Sequence, residues 1–261
     1  MQTESLHVQN HSYWTWRAAG YSQVNQEELS GIQRSTWSML LDELIMGYPA
    51  CKGKTKQEIR ILDIGCGPGF LSIILTELGY RVTSGDFAES MLEQAKENAG
   101  PLAEQMDFRM ENAMDLSFAN ETFDVVLSRN LTWNLPDPKA AYVEWLRVLK
   151  PQGLLLVFDA NWYHYLRDDA RKAAYELDRA KVAEAGCGDY NLGENFDVME
   201  EIASRLPMTD CKRPEWDQRV FLEYGVASVE VVEDIGAIVY SEKEKINYAS
   251  SPMFMIKVVK E

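Results

Sequence analysis

Cysteine and histidine are scarce in this sequence of 261 residues, which has four of the former and three of the latter. The cysteines form no C-x-x-C pair, and no Cys–His spacing typical of a zinc site occurs. We therefore expect neither a disulfide framework nor a metal site. The residues concerned are Cys51, Cys66, Cys187, Cys211, His7, His11 and His164.

Long apolar runs and clusters of basic residues are also missing. No stretch of about 18 consecutive apolar residues occurs, so we expect no transmembrane helix. The polar N-terminus does not resemble a secretory signal, and we expect a cytoplasmic location. The net charge is −15 and no basic block is present. This disfavours nucleic acid as a partner, because binding to phosphates depends largely on Lys and Arg.

Strand-like and helix-like runs alternate through the middle of the chain. Apolar strands that alternate with helices are typical of a parallel sheet that is covered on both faces. The predicted strands are 58–64, 80–86, 106–110, 123–128 and 153–160, and the predicted helices are 70–79, 88–100 and 138–150.

The segments on either side of this alternation have other patterns. Residues 1–50 carry apolar positions at helical spacing and predict an N-terminal helical segment. Residues 161–212 carry charged helical patterns without a clear strand. We expect a helix near 215–224 and then an antiparallel strand pair at the sheet edge, 228–235 and 253–260, with no full helix between the two strands.

The stretch ILDIGCGPGF (61–70) joins a predicted strand to a predicted helix through three glycines. Glycines at such a turn allow positive φ and a close approach of the backbone to a ligand. The N-terminus of the following helix offers free N–H groups and a partial positive charge to an anion. Asp86 ends the next predicted strand, where a carboxylate can accept hydrogen bonds from both hydroxyls of a ribose. The pattern therefore predicts a ligand that contains a nucleoside.

Dinucleotides and S-adenosylmethionine both meet this description. The dinucleotide fingerprint G-x-G-x-x-G requires a glycine at position 70, where this chain has Phe70. The spacing is instead G-x-G-x-G, with Asp63 two residues before the first glycine. A dinucleotide-binding sheet also does not require the predicted antiparallel edge pair. Both observations favour S-adenosylmethionine.

From about 58 to 160 the sequence resembles a class I, Rossmann-like S-adenosylmethionine-dependent methyltransferase of the small-molecule type. LDIGCGPG is similar to the first motif of that family and GDFAESMLEQAKEN to the second. FDVVLSRNLTWNLPDP and WLRVLKPQGLLLVFD resemble its fourth strand, next helix and fifth strand. The resemblance implies a doubly wound, seven-stranded, mostly parallel α/β sheet with an antiparallel C-terminal edge strand. It also implies an N-terminal helical lid and a helical insertion after the fifth strand.

The resemblance implies a set of cofactor-binding residues. Asn112 stands where the family usually has an aspartate, and an asparagine can still accept a hydrogen bond from the adenine amino group. The residues around the methionine part would be Asp63, Gly65, Cys66 and Gly67. Asp86 would bind the ribose. The others are Phe87 and Met91 against the adenine, Asn112 and Ala113 at its edge, and Arg129 and Asn130 near the sulfonium.

No motif identifies a catalytic base. Methyl transfer from a sulfonium is an in-line displacement, in which the protein mainly aligns the nucleophile and excludes water. A hydroxyl or an acidic carbon would favour a general base, whereas a thiolate or an amine needs little help. The candidates at the mouth of the sheet are His164, Asp159, Tyr163 and Trp133. His164 has the alternative role of a hydrogen-bonded loop histidine, and Trp133 that of an apolar pocket wall.

The stretch HSYWTWRAAGYSQ (11–23) concentrates aromatic residues ahead of the first strand. In a helix, Tyr13, Arg17 and Tyr21 share one face at i, i+4, i+8 spacing. The resemblance implies a lid over the cofactor, with Arg17 at its carboxylate and aromatic rings at its sulfonium. The alternative is that these aromatic residues only anchor the helix.

These observations predict an S-adenosylmethionine-dependent methyltransferase that acts on a small molecule under an aromatic and helical cap and releases S-adenosylhomocysteine. We expect a lid at 1–50 and a methyltransferase domain at 51–261, within which 161–212 forms the cap. We expect a monomer or a homodimer, with no nucleic-acid or membrane partner. An NAD(P)-dependent oxidoreductase and a non-catalytic S-adenosylmethionine sensor are the alternatives.

Overall fold

A seven-stranded sheet forms the centre of the computed structural model, which describes residues 5–191 and 195–261. The strands are β1 Arg60–Ile64, β2 Arg81–Asp86, β3 Asp107–Met110, β4 Phe123–Arg129, β5 Leu149–Asp159, β6 Ser228–Val232 and β7 Phe254–Val259. The α-helices of the described residues are α1 Leu6–Ser30, α2 Ile32–Met46, α3 Phe70–Glu77, α4 Glu89–Ala99, α5 Pro138–Val148, α6 Asp169–Ala185, α7 Phe196–Ala203, α8 Glu215–Glu223, α9 Gly236–Val239 and α10 Glu242–Asn247.

The sheet has the order β3-β2-β1-β4-β5-β7-β6. The pairs among β1 to β5 are parallel, and β7 runs antiparallel to both of its neighbours, β5 and β6. The predicted fold class is therefore confirmed, with β7 one place in from the edge and β6 at the edge itself. Because β2 lies on one side of β1 and β4 on the other, the strand order reverses at β1. Ligands of open α/β sheets bind in the crevice at such a point, outside the carboxyl ends of the strands.

Two apolar cores cover the two faces of the sheet. Ile61 and Leu62 are neighbours on β1 and belong to different cores, because successive side chains of a strand point to opposite faces. The first core receives Trp37 from α2, and the second receives Tyr142 and Trp145 from α5. All five side chains are almost completely buried. Burial of this extent fixes the sheet as a rigid support for the loops at its carboxyl edge.

The N-terminal segment contains two helices, α1 and α2, with Gly31 between them. Ser5 caps the start of α1 by accepting a hydrogen bond from the Val8 N–H. The first four residues of the predicted segment 1–50 lie outside the described residues. The described part of 161–212 contains α6 and α7 and no strand, and positions 192–194 again lie outside the described residues.

The connection between β6 and β7 differs from the expectation. We predicted no full helix there, but the short helices α9 and α10 separate the two strands. The start of α10 is a capping box in which Ser241 and Glu244 satisfy each other's backbone N–H groups. A four-residue signal of this kind is overlooked when a sequence is searched for longer apolar periodicity. The predicted antiparallel pairing of the two strands is confirmed.

No helix within residues 5–191 and 195–261 has the length and apolar character needed to cross a membrane. In the same ranges, no three or more His, Cys, Asp or Glu side chains are placed to hold a metal ion.

Candidate functional site

The glycine loop follows β1 and leads directly into α3. Gly65, Gly67 and Gly69 have φ of 70°, 52° and 92°, the left-handed region that favours glycine. The N–H groups of Gly65 and Cys66 donate to the Gly85 carbonyl at 2.8 and 3.0 Å and so fasten the loop to β2. A Cβ atom at Gly65 would lie 2.6 Å from the Leu131 side chain. The loop therefore requires glycine for both its backbone angles and its close packing.

Asp86 lies at the carboxyl end of β2, beside this loop. Its carboxylate accepts from the Gly67 N–H and from the Ala88 N–H, each at 3.0 Å. The residue is only 6% exposed, and this burial raises the pKa of Asp86 to about 6. Each carboxylate oxygen still has acceptor capacity for a hydroxyl group. The arrangement holds the carboxylate at a fixed place from which it can bind a ribose.

A second buried carboxyl group lies on β1 behind the glycine loop. Asp63 accepts from the Ser72 hydroxyl at 2.6 Å, and the Ser84 hydroxyl donates in turn to that of Ser72 at 2.8 Å. Burial raises the pKa of Asp63 to about 7, and the nearby charge of Asp86 acts in the same direction. The two acids are therefore coupled. Cys66 is buried as well, and burial raises the pKa of its thiol, which argues against a thiolate nucleophile.

One cavity of about 550 Å³ joins the glycine loop to the helical segments around it. This volume lies within the range usual for small-molecule sites. The elements that line it besides the loop itself include α1, the end of β4, the segment after β5 and the region around α10. Predicted residues from the glycine loop and β2 that line it are Asp63, Gly65, Cys66, Gly67 and Asp86. Other predicted residues that line it are Phe87, Met91, Arg129 and Asn130.

The aromatic face of α1 closes one side of this cavity. Tyr13, Arg17 and Tyr21 all line it, as their shared helical face predicts. A Cβ atom at Gly67 would lie 3.5 Å from the Tyr21 ring, so that ring lies directly over the glycine loop. Trp14 also lines the cavity, with its ring centroid 5.7 Å from that of Tyr21. The position of α1 is therefore suited to a lid.

Arg129, at the end of β4, forms a buried ion pair that the sequence did not suggest. Its guanidinium binds both carboxylate oxygens of Glu28 on α1. It also lies over the rings of Phe70 and Trp37, at 4.6 and 5.3 Å from their centroids. Burial raises the pKa of Glu28, while the charge of Arg129 acts against that rise. The pair links α1 to the carboxyl edge of the sheet, so Arg129 has a structural partner as well as a place in the cavity wall.

Two predicted adenine contacts are not brought to the cavity. Asn112 is exposed, and its side-chain oxygen accepts from the Met114 N–H at 3.1 Å. The Ala113 carbonyl accepts from the Trp145 indole at 3.0 Å and so faces α5. Neither residue lines the cavity. The Asn112 side-chain oxygen and the Ala113 carbonyl therefore already have partners within the protein.

Tyr163 lines the cavity, and the other three catalytic candidates occupy different environments. Asp159 is fully buried, accepts from the Trp133 N–H at 3.0 Å and pairs with the Arg213 guanidinium at 2.7 Å. His164 does not line the cavity, and burial lowers the pKa of its imidazole. Trp133 does line the cavity, and its indole donates to the Asn130 carbonyl at 2.9 Å. The geometry therefore argues against Asp159 and His164 as bases, since neither reaches the cavity, and it places Trp133 in the wall.

Several lining residues were missed at the level of sequence. They come from segments that lie far apart in the chain, and no motif connects them. In the aromatic run after β5 only Tyr163 was a candidate, and its neighbours in the run and around α10 were not. These missed residues are Trp162, Tyr190, Phe196, Tyr240, Glu244 and Tyr248.

Comparisons with known proteins agree with this geometry. Residues 62–157 match the family model described as a methyltransferase domain. The ubiquinone biosynthesis O-methyltransferase of Parvibaculum lavamentivorans is 34% identical over 105 residues, which cover 40% of this chain and 42% of that protein. The match therefore spans less than half the length of that curated relative.

Solved structures with the same fold extend over most of the chain. A putative S-adenosylmethionine-dependent methyltransferase from Methanococcus maripaludis has a TM-score of 0.56 and 19% identity, and the match covers 92% of this chain and 91% of that one. The geranyl diphosphate C-methyltransferase of Streptomyces coelicolor, solved with S-adenosylhomocysteine, has a TM-score of 0.56 and 13% identity, with coverage of 85% and 77%. At these identities the likenesses show the fold alone.

Residues 62–157 therefore match a methyltransferase domain, and the sheet around them has the class I, Rossmann-like methyltransferase fold. The resemblance to S-adenosylmethionine-dependent methyltransferases noted in the sequence is confirmed at the level of this domain and fold.

Proposed function

We propose that this protein transfers a methyl group from S-adenosylmethionine to a small molecule held in the cavity beneath α1. The observation that carries the proposal is that the glycine loop, Asp86 and the aromatic face of α1 all line the same cavity. A nucleoside fixed at Asp86 would extend along the glycine loop, and an acceptor would occupy the remaining volume. The small-molecule acceptor follows from the size and enclosure of this space.

The residues present fit the cofactor. The Gly65–Gly67 backbone would lie along its methionine part, Asp86 would accept from the ribose hydroxyls, and Phe87 and Met91 would pack against the adenine. Buried polar atoms in the wall, including Asn130 Oδ1 and Trp14 Nε1, have no partner within the described part of the chain, and a polar ligand would satisfy them. When bound, the cofactor supplies a methyl group on a sulfonium.

The lid would add charge and shape to this site. Arg17 would bind the cofactor carboxylate through its guanidinium fork, and the Tyr13 and Tyr21 rings would flank the methionine part. Trp133 would shape the acceptor side of the cavity and exclude water from it. Positioning and the exclusion of water are the main contributions of the protein to a displacement of this kind.

The domain roles are part of the proposal. Residues 1–50 would be the lid, 51–261 the methyltransferase domain, and 161–212 the cap over the acceptor. Support comes from the cavity wall, to which α1 contributes Tyr13, Trp14 and Tyr21 and the described part of the cap contributes Tyr163 and Phe196. We also propose that the protein works in the cytoplasm as a monomer or homodimer.

Ligand-dependent thermal unfolding tests the cofactor. S-adenosylhomocysteine at 100 times its Kd should stabilise the protein by about 2.7 kcal/mol, whereas NAD should have no effect. Asp86→Asn should reduce the shift, and Asp107→Asn, at an exposed aspartate outside the cavity, is the matched control. Stabilisation by NAD without stabilisation by S-adenosylhomocysteine would refute the proposal.

Turnover separates an enzyme from a non-catalytic sensor that has the same cofactor site. The protein is incubated with methyl-labelled S-adenosylmethionine and a small-molecule cell extract, and the label is followed by chromatography. We expect a labelled small molecule that is absent when the Asp86→Asn variant is used. Tight binding of the cofactor with no labelled product would favour the sensor.

A further inference from the structure

One wall of the cavity is built from aromatic rings and buried acids, and most of its residues lie about 100 positions or more after the glycine loop in the sequence. We call this part the distal lobe and define it by Trp162, Tyr190, Tyr240, Tyr248 and Glu244, which all line the cavity. The Tyr248 ring is the centre of the group. Its centroid lies 5.0, 6.1 and 5.4 Å from those of Trp162, Tyr190 and Tyr240 respectively. Four rings thus meet at one wall of the site.

The distal lobe carries an excess of buried negative charge. Glu28 and Glu244 are only 4% and 6% exposed, and both act electrostatically on Tyr248. Arg129 neutralises Glu28 through the ion pair described above. Glu244 accepts from Gln33 Nε2 at 2.8 Å and from the Ser241 backbone and hydroxyl at 2.7 Å each, all of them neutral donors. In the described part of the chain, Glu244 has no ion pair.

An unpartnered hydroxyl lies at the same wall. Tyr240 is 7% exposed and lines the cavity, and its hydroxyl has no hydrogen-bond partner in residues 5–191 and 195–261. A buried hydroxyl without a partner is costly, and a ligand that hydrogen-bonds to it removes that cost. Both this hydroxyl and the Glu244 carboxylate can accept a hydrogen bond from a donor in the lobe.

We propose that the methyl acceptor is an amine, whose nitrogen lies in the distal lobe. The idea rests on the function proposed above and narrows its substrate class. Aromatic faces attract cations through the negative potential above their rings. A buried carboxylate requires a cationic partner, and an ammonium supplies one together with hydrogen-bond donors. A thiolate, phenolate or enolate would instead meet a negative wall, because like charges disfavour binding.

The transfer step balances for an amine. An ammonium first gives one proton to the Glu244 carboxylate, which frees the nitrogen lone pair. That lone pair forms the new N–C bond while the C–S bond breaks, and its electron pair stays on sulfur as a thioether. The positive charge thus moves from sulfur to nitrogen beside the wall of rings, and the protonated Glu244 passes its proton to solvent as the product leaves. A tertiary ammonium gives up its single proton in the same way, and the free amine then yields a quaternary ammonium.

Matched acceptors test the proposal directly. The wild-type protein is given labelled S-adenosylmethionine and a panel of aryl-alkyl primary, secondary and tertiary amines, each paired with the alcohol and thiol of the same skeleton. We expect label on amines and none on their matched partners. Binding of the quaternary ammonium homologues, measured by calorimetry with S-adenosylhomocysteine present, gives a readout that does not depend on turnover.

Two variants locate the effect in the distal lobe. Glu244→Gln should weaken binding of the quaternary ammonium about tenfold or more, as expected when a buried ionic contact is lost. Tyr240→Phe keeps the ring and should weaken the binding of primary amines, which can donate to the hydroxyl, more than that of quaternary ones. Glu233→Gln makes the same charge change at an exposed site outside the cavity and should have no effect. Affinity for S-adenosylhomocysteine should stay unchanged in all three variants.

The failures of the two proposals are distinguishable. Label on alcohols or thiols but not on amines would overturn the amine assignment and leave the methyltransferase proposal in place. Weaker binding of S-adenosylhomocysteine by Glu244→Gln, with ammonium binding unchanged, would assign the acid to the cofactor and also overturn it. If the protein binds the cofactor but neither labels amines nor binds the quaternary ammonium compounds, the amine assignment is also overturned. Absence of cofactor binding by the wild-type protein would overturn the methyltransferase proposal itself.

Discussion

Binding of S-adenosylhomocysteine should depend on pH through Asp86. Ribose hydroxyls donate to the carboxylate and therefore bind its ionised form. With the pKa of Asp86 at about 6, about one tenth of this group is ionised at pH 5 and about nine tenths at pH 7. This acid alone should therefore weaken binding about tenfold between pH 7 and pH 5. Asp63, with a pKa of about 7, is coupled to Asp86, so the measured values belong to the pair.

The number of protons released when the ligand binds provides the sharpest form of this test. Calorimetry at pH 5.5 in two buffers that differ in ionisation enthalpy measures the protons released when the ligand binds. Asp86→Asn should release about three quarters of a proton fewer than the wild type, because a group with a pKa of about 6 is protonated to that extent at pH 5.5, and it should bind more weakly at pH 8. His11 also acts electrostatically on Asp86, so His11→Gln serves as the control and should keep most of the proton release. Equal proton release by the wild type and Asp86→Asn would refute this reasoning.

The same pKa shift has a consequence for stability of the ligand-free protein. An acid whose pKa is raised by folding binds its proton more tightly in the native state, so its contribution falls as pH rises from about 4 through the native pKa. For Asp86, a rise from 3.8 to about 6 corresponds to about 3 kcal/mol, lost progressively between about pH 4 and pH 6. Thermal unfolding should show this decline without ligand and a smaller decline with saturating S-adenosylhomocysteine.

Variants at Arg129, Gly67 and Arg17 extend these predictions. Arg129→Met should lower the free energy of unfolding by about 3–5 kcal/mol because Glu28 is left buried without its partner, and adding Glu28→Leu should recover most of this loss in denaturant titrations. If the double variant is no more stable than the single one, the ion pair is not the cause. Gly67→Ala should lower the free energy of unfolding by about 1–2 kcal/mol, because alanine disfavours the φ of 52°. It should also weaken the binding of S-adenosylhomocysteine, because the new methyl group faces the cavity near Tyr21. Normal affinity in calorimetry would contradict the second expectation. Arg17→Ala should reduce the binding free energy of S-adenosylhomocysteine by more than it reduces the free energy of unfolding of the ligand-free protein. Unchanged affinity would mean that this face of α1 only anchors the helix.

Local pattern predicted those parts of the site that are continuous in the chain. The glycine loop and Asp86 lie at the carboxyl ends of consecutive parallel strands. A strand-to-helix turn of this kind can adopt few backbone conformations, so its sequence pattern is recognisable. The shared face of Tyr13, Arg17 and Tyr21 followed from helical periodicity, and all three residues line the cavity. Their roles in binding the cofactor stay predictions.

The same reasoning from local pattern could not predict which polar residues are engaged by long-range contacts. Asp159 was expected at the mouth of the site as a base, but Arg213 comes from a distant loop and encloses it in a buried ion pair. Asn112 resembles a family position, yet its own local turn occupies its oxygen. A sequence pattern cannot show that a polar group is already satisfied, because its partner can come from any other part of the chain.

The sequence by itself determined the alternation of strands and helices, the glycine loop, the acid on the second strand and hence the resemblance to a methyltransferase domain, because each depends on residues within a short span. Only the tertiary structure decided which side chains share the cavity. Glu28, Glu244 and Tyr248 are brought together from α1, α10 and the turn after α10, and burial then gives their charges and hydroxyls an importance that exposed residues lack. The physical reason is that burial and charge pairing are properties of the packed chain, not of any one segment of it.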